Sequence, residues 1–210
     1  MAETATATVS SQAALGHEAG HDPHATRTGI SNTKLAMWLF LASDCLLFGA
    51  LISTFLIYEG RLPAGEIGKE IFDIPFTSVS SFVLLMSSLT MVLAVAAAHR
   101  GDARNTRLWL AATATLGSVF IGGQIYEFTV FYREGLGFTT SIFSSAFYTL
   151  TGFHGAHVTG GIVMLVSLIV LSLRGKLPME KAETVEIVGL YWHFVDVVWI
   201  VIFAVVYLVP

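Results

Sequence analysis

The sequence predicts an all-α, polytopic membrane protein: a bundle of five transmembrane helices with the N-terminus cytoplasmic and the C-terminus external. Three observations carry this. Of the 210 residues, 54% are hydrophobic and 12% charged, and the mean hydropathy is +0.72. A chain of this length cannot hide that much apolar surface inside a water-soluble domain. The apolar residues gather into five runs, each long enough to cross a hydrocarbon core of about 30 Å at 1.5 Å per residue. Finally, Lys and Arg are unevenly shared between alternate loops.

The predicted spans are about 35–58, 77–98, 108–131, 144–173 and 185–208. The fourth is longer than one crossing requires, so it is expected to tilt or to begin in the interface. The loops are short and turn-rich: Gly60, Pro63, Gly65, Gly68 and Pro75 punctuate the first, and Gly175 and Pro178 the last. None has room for a folded domain, so the organisation expected is a flexible cytoplasmic tail, 1–34, and a transmembrane domain, 35–210. The tail lacks the basic start and apolar stretch of a cleaved signal peptide, and the first span is expected to act as its own signal. His17, His21 and His24 have metal-like spacing within it, but a solvated tail accounts for them without a metal.

Positive residues stay in the cytoplasm. Arg27, Lys34, Arg100, Arg104, Arg107, Arg174, Lys176 and Lys181 fall on one side, against Arg61, Lys69 and Arg133 on the other. The formal charge of -4 contributes little to topology, and no basic stripe suggests nucleic acid. The single cysteine, Cys45, excludes an intrachain disulfide and most cysteine-based metal sites.

The informative residues are the ionisable ones inside the spans. His154 with His157 and His193 with Asp196 are each three apart, so each pair shares a helix face. Asp44 lies about 14 Å into the first span at 1.5 Å per residue. Gln124 with Glu127 forms a further pair at the outer end of the third. Such groups are costly in hydrocarbon and need partners or a task. The simplest arrangement turns Asp44, His154, His157, His193 and Asp196 inward to satisfy one another, aided by small residues such as Gly49, Gly122, Gly152, Gly155 and Gly161. Three sharper readings stand beside it: a transition metal on His154, His157, His193 and Asp196, a haem between histidines of two helices, and a proton relay through Asp44 and its neighbours. Arg100, Arg104 and Arg107 are placed where phospholipid headgroups sit. Trp192 and Trp199, a heptad apart, mark either a packed stripe or one that clasps lipid headgroups.

At MWLFLASDCLLFGAL, GQIYEF, FYTLTGFHGAHVTGG and GLYWHFVDVVWIVIFAVVYL the chain resembles subunit III of the haem-copper respiratory oxidases (cytochrome c oxidase), in its bacterial five-span form. The resemblance covers nearly all of 32–210. It implies an accessory subunit of a proton-pumping terminal oxidase in the bacterial inner (plasma) membrane, with subunits I and II as partners. Haem and copper are then expected in those partners, with no cofactor or catalytic residue in this chain. Bound phospholipid and support of proton uptake are implied too, the latter through the Asp44, His154, His157, His193 and Asp196 cluster. One departure is that Asp44 stands where the family usually has glutamate, so its partner must lie about one methylene closer. Beside this stand a related subunit of a quinol oxidase or nitric oxide reductase, and a free-standing haem or metal membrane protein.

Overall fold

The computed structural model describes residues 31–59, 73–175 and 182–208. They form five helices: α1, Asn32–Glu59; α2, Ile74–His99; α3, Ala103–Arg133; α4, Ile142–Leu173; and α5, Ala182–Phe203, continued by a π-helical stretch, Ala204–Leu208. All five are long and apolar enough to cross a membrane, and no strand occurs among the described residues. The tail histidines and the basic residues Arg27, Arg61, Lys69, Lys176 and Lys181 lie outside the described residues.

The helices start before the apolar runs do because local caps extend them. Asp73 accepts a hydrogen bond from the Phe76 amide (3.1 Å), and Asp102 accepts one from the Asn105 amide (3.1 Å). Ser141 and Ser144 exchange reciprocal bonds at the start of α4, each side chain taking the other's backbone N–H. These groups satisfy amides that the first turn leaves open. Asp102 is held below the usual carboxylate range, first by the Asn105 backbone N–H, then by the Asn105 side chain and the Arg100 charge. The α2–α3 turn closes through Gly101 at φ +74°, where a side chain would be strained, with Asp102 N–H donating to the Ala97 carbonyl (3.1 Å).

The chain falls into two compact units, Met1–Leu39 and Phe40–Pro210. In the first, the described part is the opening of α1, where Ser31 Oγ accepts from the Lys34 amide (3.2 Å). In the second, α2 packs on α3, α3 on α4, α4 on α5 and α5 back on α2, which closes a ring of four helices. From Phe40 onward α1 lies outside that ring. Its buried residues, Leu41, Asp44, Phe48 and Phe55, follow one stripe, while Leu46, Leu47, Leu56 and Ile57 are exposed. Phe48 meets the His157 ring at 5.0 Å and Phe55 the Phe143 ring at 5.4 Å, so the stripe faces α4.

The ring is centred on two indoles. Trp192 and Trp199 are 1% and 2% exposed. Trp192 Nε1–H donates to Ser87 Oγ (3.0 Å) and Trp199 Nε1–H to Ser81 Oγ (2.9 Å), tying α5 to α2. Gly117 of α3 and Gly161 of α4 make room for the Trp192 ring, since a Cβ there would come within 2.5 Å and 2.8 Å of it. The headgroup role expected of these tryptophans therefore gives way to packing: with their N–H groups used and their rings enclosed, neither offers a face to lipid. Of the small residues expected to bring helices together, Gly155 and Gly161 do so. Gly49, Gly122 and Gly152 would meet nothing within 4 Å.

Candidate functional site

The five ionisable residues expected to form one cluster are divided among three places, because residues three apart on a helix diverge by about 60° and fork around whatever packs between them. On α4, His157 turns toward α1 and His154 toward the interior of the ring. On α5, His193 and Asp196 turn toward α2. The aromatic core fills the space between.

The first place is the α1–α4 seam. Asp44, 6% exposed, sets Oδ2 3.6 Å from His157 Nε2. That is ion-pair distance, longer than a hydrogen bond, and Oδ2 makes no other bond. His157 Nδ1 is 2.7 Å from the Phe153 carbonyl, to which it must donate, because a carbonyl only accepts. Nε2 is then left facing the carboxylate. Nε2 and Oδ2 thus face each other across the seam without a hydrogen bond between them. Tyr191 O–H donates to the His157 carbonyl (2.9 Å), linking the seam to α5.

The second place is His154. It is fully enclosed, stacked on Trp199 at 4.8 Å with Phe120 and Phe48 edge-on at 6.0 Å and 6.4 Å. Neither ring nitrogen has a hydrogen-bond partner. It packs as a flat ring among aromatic rings.

The third lies between α2 and α5. Ser88 Oγ is 2.6 Å from His193 Nδ1, and Asp196 lies near the same hydroxyl. Asp196 is 4% exposed and its Oδ1 is unpaired. The four residues weighed as metal ligands are thus divided. Among the described residues, no group of three or more His, Cys, Asp or Glu side chains could hold a metal ion.

Gln124 and Glu127 are buried and separately engaged. Gln124 Nε2 donates to the Thr151 carbonyl (2.7 Å). Glu127 Oε1 accepts from Thr77 (2.6 Å) and from Tyr207 (3.0 Å), the latter on the π-helical stretch that ends α5. At the other end of the bundle, Arg104 and Arg107 line a cavity of about 680 Å³ floored by Leu108, Ala111, Ile169 and Leu173.

Sequence reasoning missed Ser81, Ser87 and Ser88, Thr77, Tyr207 and Gly117. A signal for the serines existed. Ser81 and Ser87, which bond the indoles, are six apart and Trp192 and Trp199 seven apart, near-matching spacings that let two antiparallel helices bond along their length.

Together, the five spans and the protonatable pairs inside them define a multi-pass helical membrane protein with polar machinery in its interior. The chain belongs to the cytochrome c oxidase subunit III family, whose model matches residues 9–209. It is 40% identical over 205 residues to cytochrome bo(3) ubiquinol oxidase subunit 3 of Pseudomonas aeruginosa, covering 97% of each chain. It is 40% identical to cytochrome c oxidase subunit 3 of Bacillus sp. (strain PS3), over 90% of this chain and 91% of that one. A probable quinol oxidase subunit 3 of Staphylococcus saprophyticus is 38% identical, over 93% and 97%. The protein is accordingly a subunit III of a haem-copper respiratory oxidase complex, with other oxidase subunits and a membrane as its surroundings.

Proposed function

We propose that this chain is the accessory third subunit of a proton-pumping terminal oxidase in the bacterial plasma membrane, that it carries no redox centre, and that it stabilises subunit I and sustains proton uptake. The observation that carries the reading is the Asp44–His157 pair: two ionisable groups 3.6 Å apart in an apolar seam. A purely structural polar contact would be served as well by neutral amides, without the cost of placing ionisable groups in hydrocarbon. Overall similarity does not separate the two kinds of electron donor: a ubiquinol oxidase subunit and a cytochrome c oxidase subunit are equally similar to this chain, at 40%.

Phospholipid is the second partner. With the basic end in the cytoplasm, Arg104 and Arg107 stand at headgroup depth above an apolar floor that suits an acyl chain. Asp102 does not compete for them, since its carboxylate is taken by Asn105.

The test is oxygen uptake followed to exhaustion in reconstituted vesicles. Asp44→Asn should begin at nearly normal turnover, then lose activity faster than wild type or pump fewer protons. Matching inactivation and proton yield would remove the functional role, and immediate collapse would mean that this subunit lies on the catalytic path.

A further inference from the structure

Tyr148, Tyr191 and Tyr207 place their hydroxyls against acceptors of two kinds. Tyr148 donates to the Leu136 carbonyl (2.8 Å) and Tyr191 to the His157 carbonyl (2.9 Å), main-chain groups that accept a hydrogen bond but do not take up the proton. Tyr207, which is buried, donates to Glu127 Oε1 (3.0 Å), a carboxyl oxygen that also accepts from Thr77 (2.6 Å). Two hydroxyl donors on one oxygen suit an ionised carboxylate, and a carboxylate can take the proton outright. We propose that Tyr207 and Glu127 form a redox-active pair at the end of an aromatic line along α5: an oxidising equivalent that reaches Trp192 or Trp199 passes to Tyr207, whose electron goes to the indole and whose proton goes to Glu127.

The line is built by the helix. Trp192 and Trp199 are about 10 Å apart along the axis at 1.5 Å per residue, and Tyr207 lies no more than about 12 Å beyond. Trp199, Phe203 and Tyr207 recur every four residues and so run along one side of α5. Phe203 stacks on the Tyr207 ring at 5.5 Å. His154 stacks on Trp199 and Phe120 meets it edge-on, both at 4.8 Å, so the indole is walled from water by rings.

The direction of transfer follows from the hydrogen bonds. Both indoles donate N–H to serine hydroxyls, Trp192 to Ser87 and Trp199 to Ser81. A hydroxyl is a poor base, so an indole that loses an electron keeps its proton and remains a cation radical, which is a strong oxidant. At Tyr207 the proton has somewhere to go. One electron moves from the phenol to the indole cation radical, restoring neutral tryptophan. The Tyr207 O–H bond breaks, an O–H bond forms on Glu127 Oε1, and a neutral tyrosyl radical faces a neutral carboxylic acid. The oxidising equivalent comes from an oxygen radical or a metal-oxo group, the one-electron oxidants that go with oxygen reduction. A quinol in the bilayer resets the pair by supplying an electron, and Glu127 returns the proton. The pair consists of side chains alone and is idle in the oxidase cycle, so it goes beyond the accessory role proposed above without adding a haem or metal to the chain.

The experiment is a laser flash that ionises tryptophan directly in the full chain in detergent, with the ejected electron scavenged. The visible indole-radical band should decay as the tyrosyl band rises, and time-resolved infrared should show a carboxylic acid band of isotope-labelled glutamate growing at the same rate. Tyr207→Phe should abolish that tyrosyl phase and lengthen the life of the indole radical. Glu127→Gln keeps an acceptor for the hydrogen bond but cannot take the proton, and should slow the phase by about a hundredfold, the lower end of what a positioned proton acceptor contributes. Tyr148→Phe should leave it unchanged. A tyrosyl phase that survives Tyr207→Phe, a Glu127→Gln rate equal to wild type, or tyrosyl formation in the unmutated chain without the carboxylic acid band would each overturn the proposal.

Discussion

Replacing Gly161 by alanine tests the packing of the bundle at its tightest point. A Cβ at Gly161 would lie 2.8 Å from Cε3 and 2.9 Å from Cζ3 of Trp192. Carbon atoms in good contact are about 3.5–4.0 Å apart, so the indole must move by about 1 Å. It has little freedom to do so, because Gly117 of α3 leaves no more room on its side and Trp192 Nε1 is bonded to Ser87. Overpacking of this kind costs about 1–3 kcal/mol. Alanine recovers about 0.8–1.0 kcal/mol of helix propensity over glycine, which partly offsets the loss. Gly152→Ala on the same helix is the control: its Cβ meets nothing within 4 Å, so it should be neutral or slightly stabilising. The difference between the two variants isolates the clash, at about 1–3 kcal/mol. The assay is resistance of the detergent-solubilised chain to denaturant, read by tryptophan fluorescence. Gly161→Ala made in a Trp192→Leu background should be nearly free, as a double-mutant cycle would show. Equal stability of Gly161→Ala and Gly152→Ala would refute the argument, since no other feature of the two sites predicts a difference in this direction.

Three further outcomes follow from the same geometry. Asp102 has a lowered folded pKa, so its cap is present above the ordinary aspartate range and is lost as pH falls through its folded value; amide exchange at Asn105 should speed up there, and Asp102→Ala should exchange quickly at every pH. At the opposite end, Glu127→Leu should strand the Thr77 and Tyr207 hydroxyls and destabilise by about 1–3 kcal/mol, whereas Glu127→Gln keeps an acceptor and should cost less; equal losses in denaturant titrations would contradict the hydrogen-bond account. Arg104→Gln with Arg107→Gln should reduce the anionic phospholipid retained by the complex in native mass spectrometry, and unchanged retention would sever the groove from lipid binding.

The sequence by itself determined the solvent, the number of helices and the family. Apolar runs of membrane length are a one-dimensional signal, and burying a polar backbone in lipid leaves few structures other than the helix. Helix ends were legible to within a few residues, and the differences come from Asp73, Asp102 and Ser141, polar residues that continue a helix beyond its apolar stretch. The sequence also singled out Asp44, His154, His157, His193 and Asp196 as the groups needing an explanation. Only the tertiary structure decided who meets whom. Spacing of three places two side chains near one face but does not say which neighbour each reaches, and here the 60° divergence sends His157 to α1 and His154 into the aromatic core. Trp192 and Trp199 read equally well as interface anchors or as core, because an indole has an apolar body and a polar tip that suit either. What made them core was the pair of serines on α2 at matching height and the missing side chains at Gly117 and Gly161, partners distant in sequence that only the folded ring brings to the same place.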